Sequence, residues 1–135
     1  MRDDAAIITA TLEKVSKRVG DPTALLFARL FAEQPEVEAL FIRDQGGLVR
    51  GQMFQVTIES LLDFLGDRFY GANLIQIERV NHQGLGVTTE TFDTFYWIVK
   101  ETFRDILAAD WTADMETAWT RVITDLTQNI RHDPR

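Results

Sequence analysis

The sequence predicts an all-α fold, and three observations carry that prediction. Apolar residues recur at helical spacing along most of the 135 residues. No stretch alternates apolar and polar residues for long enough to form a half-buried strand. No repeat, linker or low-complexity tract interrupts the pattern.

In the first segment Ile8, Leu12, Val15 and Val19 follow one another at steps of four, three and four, which predicts a helix over about residues 4 to 19. Gly20 ends it, and Asp21-Pro22 supplies an N-cap and first helical residue for the next, whose stripe is Leu26, Phe27, Leu30 and Phe31. Pro35 opens a short third segment, EVEALF, and Asp44 with Gly46-Gly47 marks a loop. From Leu48 to Leu65 the positions Met53, Phe54, Ile58, Leu61 and Leu65 fit one helical face, with Gly66-Asp67 as the stop. A shorter helical piece runs from about Gly71 to His82 and ends at Gly84. Thr88 or Thr89 caps the segment with the clearest stripe, Phe92, Phe95, Tyr96, Val99, Phe103, Ile106 and Leu107. Asp110 or Thr112 caps the last helix, which carries Met115, Trp119, Val122, Ile123, Leu126 and Ile130.

Length and composition bound the function. A chain of 135 residues, 45% of them hydrophobic, can bury one full core and is too short for two ordinary domains, so residues 1–135 are expected to form a single domain. A net charge of −7 with scattered Lys and Arg argues against nucleic acid or an anionic membrane surface as partner. The absence of cysteine excludes disulfides, thiolate metal sites and thiol catalysis. No apolar run reaches the roughly 18 residues of a membrane span, and the acidic start MRDDAAII does not resemble a signal peptide, so a cytoplasmic location is expected.

Most catalytic chemistries lack their parts. No serine sits in a nucleophile elbow, no phosphate-binding glycine motif is present, and two distant histidines without cysteine do not make a zinc site. The 21 acidic residues spread over helix surfaces read as a solvated face. One side chain stands apart. His82, in RVNHQGLGV, is one of only two histidines; the other, His132, lies in the terminal RHDPR. A lone histidine among apolar helices is either a satisfied core residue or a ligand, and composition does not decide between them.

The residues around it resemble globins. Residues 25–41, LLFARLFAEQPEVEALF, are similar to the globin B and C helices, in which an aromatic-rich helix runs into a proline followed six residues later by a phenylalanine, here Pro35 and Phe41. His82-Gln83-Gly84-Leu85-Gly86-Val87 resembles the proximal-histidine segment and following corner of bacterial single-domain haemoglobins, flavohaemoglobins and neuroglobin. The similarity continues without a gap through Phe92, Phe95 and Ala118-Trp119 to Ile130.

That resemblance implies a globin fold, a three-over-three helical sandwich, holding haem b with His82 as proximal iron ligand and binding O2, NO or CO on the open face. One imidazole suffices as anchor because the porphyrin supplies the other in-plane ligands. By the same resemblance Phe41 packs on the porphyrin, Val87, Phe92 and Phe95 line its proximal and inner sides, and Ile123 and Leu126 face it from the last helix. On the distal side Phe27 stands where bacterial haemoglobins commonly have tyrosine. Aligning Met53-Phe54 with the apolar pair deep in the distal helix puts Val49 at the ligand position; a one-residue shift puts Arg50 there, and Arg50 or Gln52 is then the candidate donor. A mostly apolar distal pocket is expected. Glu78 departs from the pattern, standing four residues before His82 where the family places an apolar residue. It could be relieved by an irregular helix that brings Ile77 or Val80 inward, by pairing with an arginine or a haem propionate, or by absence of haem.

The implied function is gas binding in sensing, NO or redox chemistry, or oxygen binding. An NO dioxygenase or peroxidase-like side activity would need an external reductase, and a signalling partner is the other candidate. A haemless globin-fold module acting through partner or apolar-ligand binding is the alternative. The oligomeric state stays open, with a homodimer among the options.

Overall fold

The computed structural model describes residues 3–66 and 71–131, and every regular element in them is helical. Asp67 and His132 lie outside the described residues, as does the side chain of Ile130.

Helix α1 spans Asp4–Val19 and buries Ile8, Thr11 and Val15. The Asp3 carboxylate accepts the Ala6 N–H at its start, and Gly20, at φ 71°, ends it in a left-handed conformation that a side chain would strain. Helix α2, Thr23–Glu33, begins one residue later than expected, which puts Pro22 in the N-cap position and Asp21 just outside it, where its carboxylate accepts the Thr23 N–H at 3.0 Å and the Thr23 hydroxyl at 2.6 Å. Pro35–Phe41 winds as a 3₁₀ helix, and Gln45–Gly47 adds one tight turn inside the predicted loop.

Helix α3, Leu48–Leu65, starts on a cap that lies well before it in the chain. The Asp44 carboxylate accepts the backbone N–H groups of Val49 and Arg50 at 2.9 and 3.0 Å and the Arg50 Nε–H at 2.9 Å. Burial pushes the Asp44 pKa up, but those three hydrogen bonds and the Arg50 charge outweigh it and hold the carboxyl below its usual value. Helix α4 covers Gly71–Gly84, α5 covers Thr89–Leu107 and α6 covers Ala113–Arg131. Of the two candidate caps for α5 it is Thr88 that accepts the Thr91 N–H, at 3.1 Å, and for α6 it is Thr112 that accepts the Met115 N–H, also at 3.1 Å.

Helix α5 is the centre of the packing: it touches α1, α2, α4 and α6, while α1 also lies on α6 and α3 lies on α4. Phe103 and Trp119, both essentially inaccessible, meet edge to face at 5.5 Å and hold α5 to α6. At the far end of α5 the Arg18 guanidinium donates to the carbonyls of Ile106 and Leu107 at 3.0 and 2.9 Å, which satisfies acceptors that a helix C-terminus leaves free. Among the described residues no helix is long and apolar enough to cross a membrane.

Candidate functional site

The helices do not close completely. A cavity of about 440 Å³, within the range of small-molecule and cofactor sites, lies between the 3₁₀ segment, α3, α4, the corner after α4 and α5. Its walls are mainly apolar. Val37, Leu40 and Phe41 come from the 3₁₀ segment, Val49, Met53 and Val56 from α3, Ile75 from α4, and Phe92, Phe95 and Tyr96 from α5.

His82 lines this cavity from the last turn of α4. Its Nδ1 lies 2.7 Å from the Glu78 carbonyl oxygen. A carbonyl can only accept, so Nδ1 carries a proton and donates it; in the neutral tautomer that contact selects, Nε2 holds the lone pair. The ring is held from the side by Phe92, whose centroid is 5.0 Å away at 66°. The backbone is fixed as well. The His82 carbonyl accepts the N–H groups of Leu85 and Val87, both at 2.9 Å, a turn made possible by Gly86 at φ 89°. The chain around His82 therefore builds an oriented imidazole at the edge of an apolar chamber.

The residues expected at the site divide into two groups. Phe41, Val49, Met53, Val87, Phe92 and Phe95 line the cavity together with His82. Phe27, Arg50, Phe54, Ile123 and Leu126 do not. Phe27 is 1% exposed and caged behind the wall, its ring 5.4 Å from Phe41, 5.6 Å from Phe95 and 5.9 Å from Phe31. Arg50 turns back to Asp44, donating to its carboxylate and, at 3.1 Å, to its carbonyl. Phe54 sits on the opposite face of α3, 6.3 Å from Phe103. Ile123 and Leu126 are wholly enclosed in the core. Of the two candidate polar donors, Gln52 is the one that borders the cavity.

Several wall residues escaped the sequence reading. Val56, Thr57 and Ser60 continue the spacing of Val49 and Met53 along α3, so the same face could have been extended to them. The Thr57 hydroxyl donates to the Met53 carbonyl at 2.7 Å and the Ser60 hydroxyl to the Thr57 carbonyl at 2.9 Å. Across from them is Tyr96. Burial pushes its phenol up to about 12, against the opposing effect of a hydrogen bond with Ser60. The largely apolar wall thus also carries two buried hydroxyl side chains, Tyr96 and Ser60. Tyr96 was visible as a stripe residue four positions after Phe92. Only the packing shows that Tyr96 borders the cavity.

Glu78 also borders the cavity. Ile77 and Val80 do not replace it, being 56% and 65% exposed. The Glu78 carboxylate accepts from the Asn81 amide at 3.4 Å and stays partly exposed, so water shares in solvating it. A partly hydrated carboxylate at the rim does not carry the several-kcal/mol penalty of an enclosed one.

Among the described residues no three His, Asp or Glu side chains gather as a metal site, and His82 is the one described histidine. A lone imidazole in an apolar chamber suits a metal whose remaining ligands arrive with it. The family model described as Globin matches residues 24–130. No curated protein and no solved structure matches the chain significantly.

Proposed function

The chain belongs to the globin family, and on that premise we propose that it holds haem b through His82 Nε2 and binds a diatomic gas, O2, NO or CO, on the opposite face. One observation carries this reading: the Nδ1–H bond from His82 to the Glu78 carbonyl, which reserves Nε2 for the apolar cavity. The haem iron would supply the gas-binding position. The chain's own residues do the rest. Phe92 limits rotation of the imidazole, the backbone turn onto the His82 carbonyl fixes its depth, and Phe41, Met53, Val56 and Phe95 exclude water. The residues fit the group: an oriented imidazole, flat aromatic and aliphatic walls, and a rim open enough for charged substituents. Redox turnover, such as NO dioxygenation, would draw electrons from an external reductase.

Purified protein supplied with hemin should show a Soret band, and His82→Ala should lose it or weaken it sharply. An unchanged spectrum in that variant would sink the assignment of His82.

A second reading rests on Glu78. A carboxylate on the cavity wall whose described hydrogen bond comes from the Asn81 amide favours a haemless module that takes another ligand or a partner. Chain that keeps its helical spectrum and takes up no hemin would favour that reading over the first.

A further inference from the structure

We propose that the buried Arg79–Asp93 ion pair is the positioning device for His82, fixing the register of α4 against α5. The inference deepens the reading of His82 as an iron ligand and rests on it for its consequence, though not for its geometry.

Helix α4 has little apolar grip of its own. Among the residues of α4 whose side chains are described, Ile75 is the one buried hydrophobic; Ile77 and Val80 face outward. The other buried side chain is an arginine, Arg79, at 3% exposure. Its guanidinium meets Asp93 of α5 as a fork: Nε donates to Oδ1 at 3.0 Å, and Nη2 to Oδ1 and Oδ2 at 2.9 and 3.0 Å. Nη1 donates to Gln76 within α4 at 3.4 Å, and Nη2 reaches the Thr127 carbonyl of α6 at 3.5 Å. One side chain therefore joins three helices, and a guanidinium fork has the fixed planar geometry to do so.

The placement ties this pair to the histidine. Arg79 is three residues before His82, hence a neighbour on the helix surface. Asp93 directly follows Phe92, whose ring abuts the imidazole. The same turn of α5 thus provides both the anchor and the stop. A one-residue slip of α4 would move His82 about 1.5 Å along the axis and rotate it by about 100°, and beside Ile75, the single buried apolar side chain described on α4, Arg79 is what opposes that slip. Stability alone is a poor reason for such a pair, because well-packed apolar residues of similar volume often replace a buried ion pair without loss. Directional register is what an apolar replacement would not supply.

The experiment uses the full chain with Arg79→Met and Asp93→Leu combined, compared with wild type and with Arg79→Lys. In the hemin-loaded, reduced protein, resonance Raman reads the iron–histidine stretch, and transfer to an acceptor globin reads hemin loss. The double variant should keep a melting temperature near wild type while its iron–histidine band shifts or broadens. Hemin loss should quicken by about tenfold or more, the scale on which outer partners of a metal-bound histidine act. Arg79→Lys, which keeps the charge and loses the fork, should move both readouts in the same direction, and it carries the test if the double variant does not fold. A folded variant with wild-type band and wild-type hemin loss would overturn the proposal. If wild type takes up no hemin, the ligand reading fails separately, and NMR of the apo chain decides on the register: the proposal requires a nuclear Overhauser contact between the His82 and Phe92 rings that the variants lose, and a contact they retain would overturn it.

Discussion

Helices α5 and α3 are close in length but use their apolar residues differently. Over nineteen residues α5 buries Ile98, Val99, Phe103 and Leu107 in the protein core, besides Phe95 and Tyr96, which are buried at the cavity wall. Over eighteen residues α3 buries only Ser60, Leu61 and Phe64, leaves Leu48 and Val49 at 70% and 49% exposure, and turns Met53 and Val56 to the cavity. An apolar face matched by neighbouring side chains marks the core. One that borders a cavity is open to a ligand instead, and in this chain the α3 face shares that cavity with His82.

The largest expected effect tests this contrast. Phe103→Ala should cost about 3–5 kcal/mol in chemical denaturation, because the cavity it opens is enclosed. Met53→Ala in the hemin-free chain should cost a small fraction of that, since the removed atoms already border a cavity, and the gap should narrow once hemin is bound. Equal costs in the apo protein would mean that α3 is ordinary core.

Phe41→Ala comes next. The ring is partly exposed but packs against Phe27 and Phe31 at 5.4 and 5.5 Å, so a loss of about 1–3 kcal/mol is expected. Hemin release should accelerate as well. A destabilised variant that releases hemin at the wild-type rate would confine Phe41 to a packing role.

A smaller effect is expected at Tyr96. Removing its hydroxyl in Tyr96→Phe forfeits about 0.5–1.5 kcal/mol of hydrogen bonding. If that hydroxyl reaches the gas, O2 dissociation should speed up by as much as about tenfold, a change worth about 1.4 kcal/mol, while CO dissociation barely moves because CO carries little charge. Phe27→Tyr, by contrast, would put its new hydroxyl inside an aromatic cage behind the wall, so it should lower stability without slowing O2 release.

The mildest test concerns pH. The Asp44 carboxyl is held below its usual value, so its contribution to the start of α3 is present above the unfolded-state pKa and lost as pH falls through the folded one. Amide exchange at Val49 and Arg50 should rise selectively in that acid range. Asp44→Asn should show raised exchange there already at neutral pH, and protection unchanged from wild type would show that the carboxylate is not the cap.

Much of this was legible before any coordinates. The helix spans were readable because alternation at 3.6 residues follows from which side of a helix meets water, and the ends because Gly20, Asp21, Thr88 and Thr112 act on neighbouring backbone groups. Arg50 was unreadable for the opposite reason. Its side chain could have turned to the cavity or to Asp44, and the choice depended on the shape of the loop that brings Asp44 within 2.9 Å. Ile123 and Leu126 belong to a helix whose apolar face was readable from its spacing; that they meet other core side chains and not the cavity is a matter of packing, which spacing does not carry.

The sequence by itself determined an all-α chain, where its helices begin and end, and which histidine stands at a glycine-bearing corner, because each of these is decided by interactions within a few residues. Tertiary structure decided that Tyr96 and Ser60 line one cavity, that Glu78 borders it instead of Ile77, and that Arg79 finds Asp93 fourteen residues away. Those pairings join side chains on different helices. Their distances depend on crossing geometry, which local periodicity does not encode.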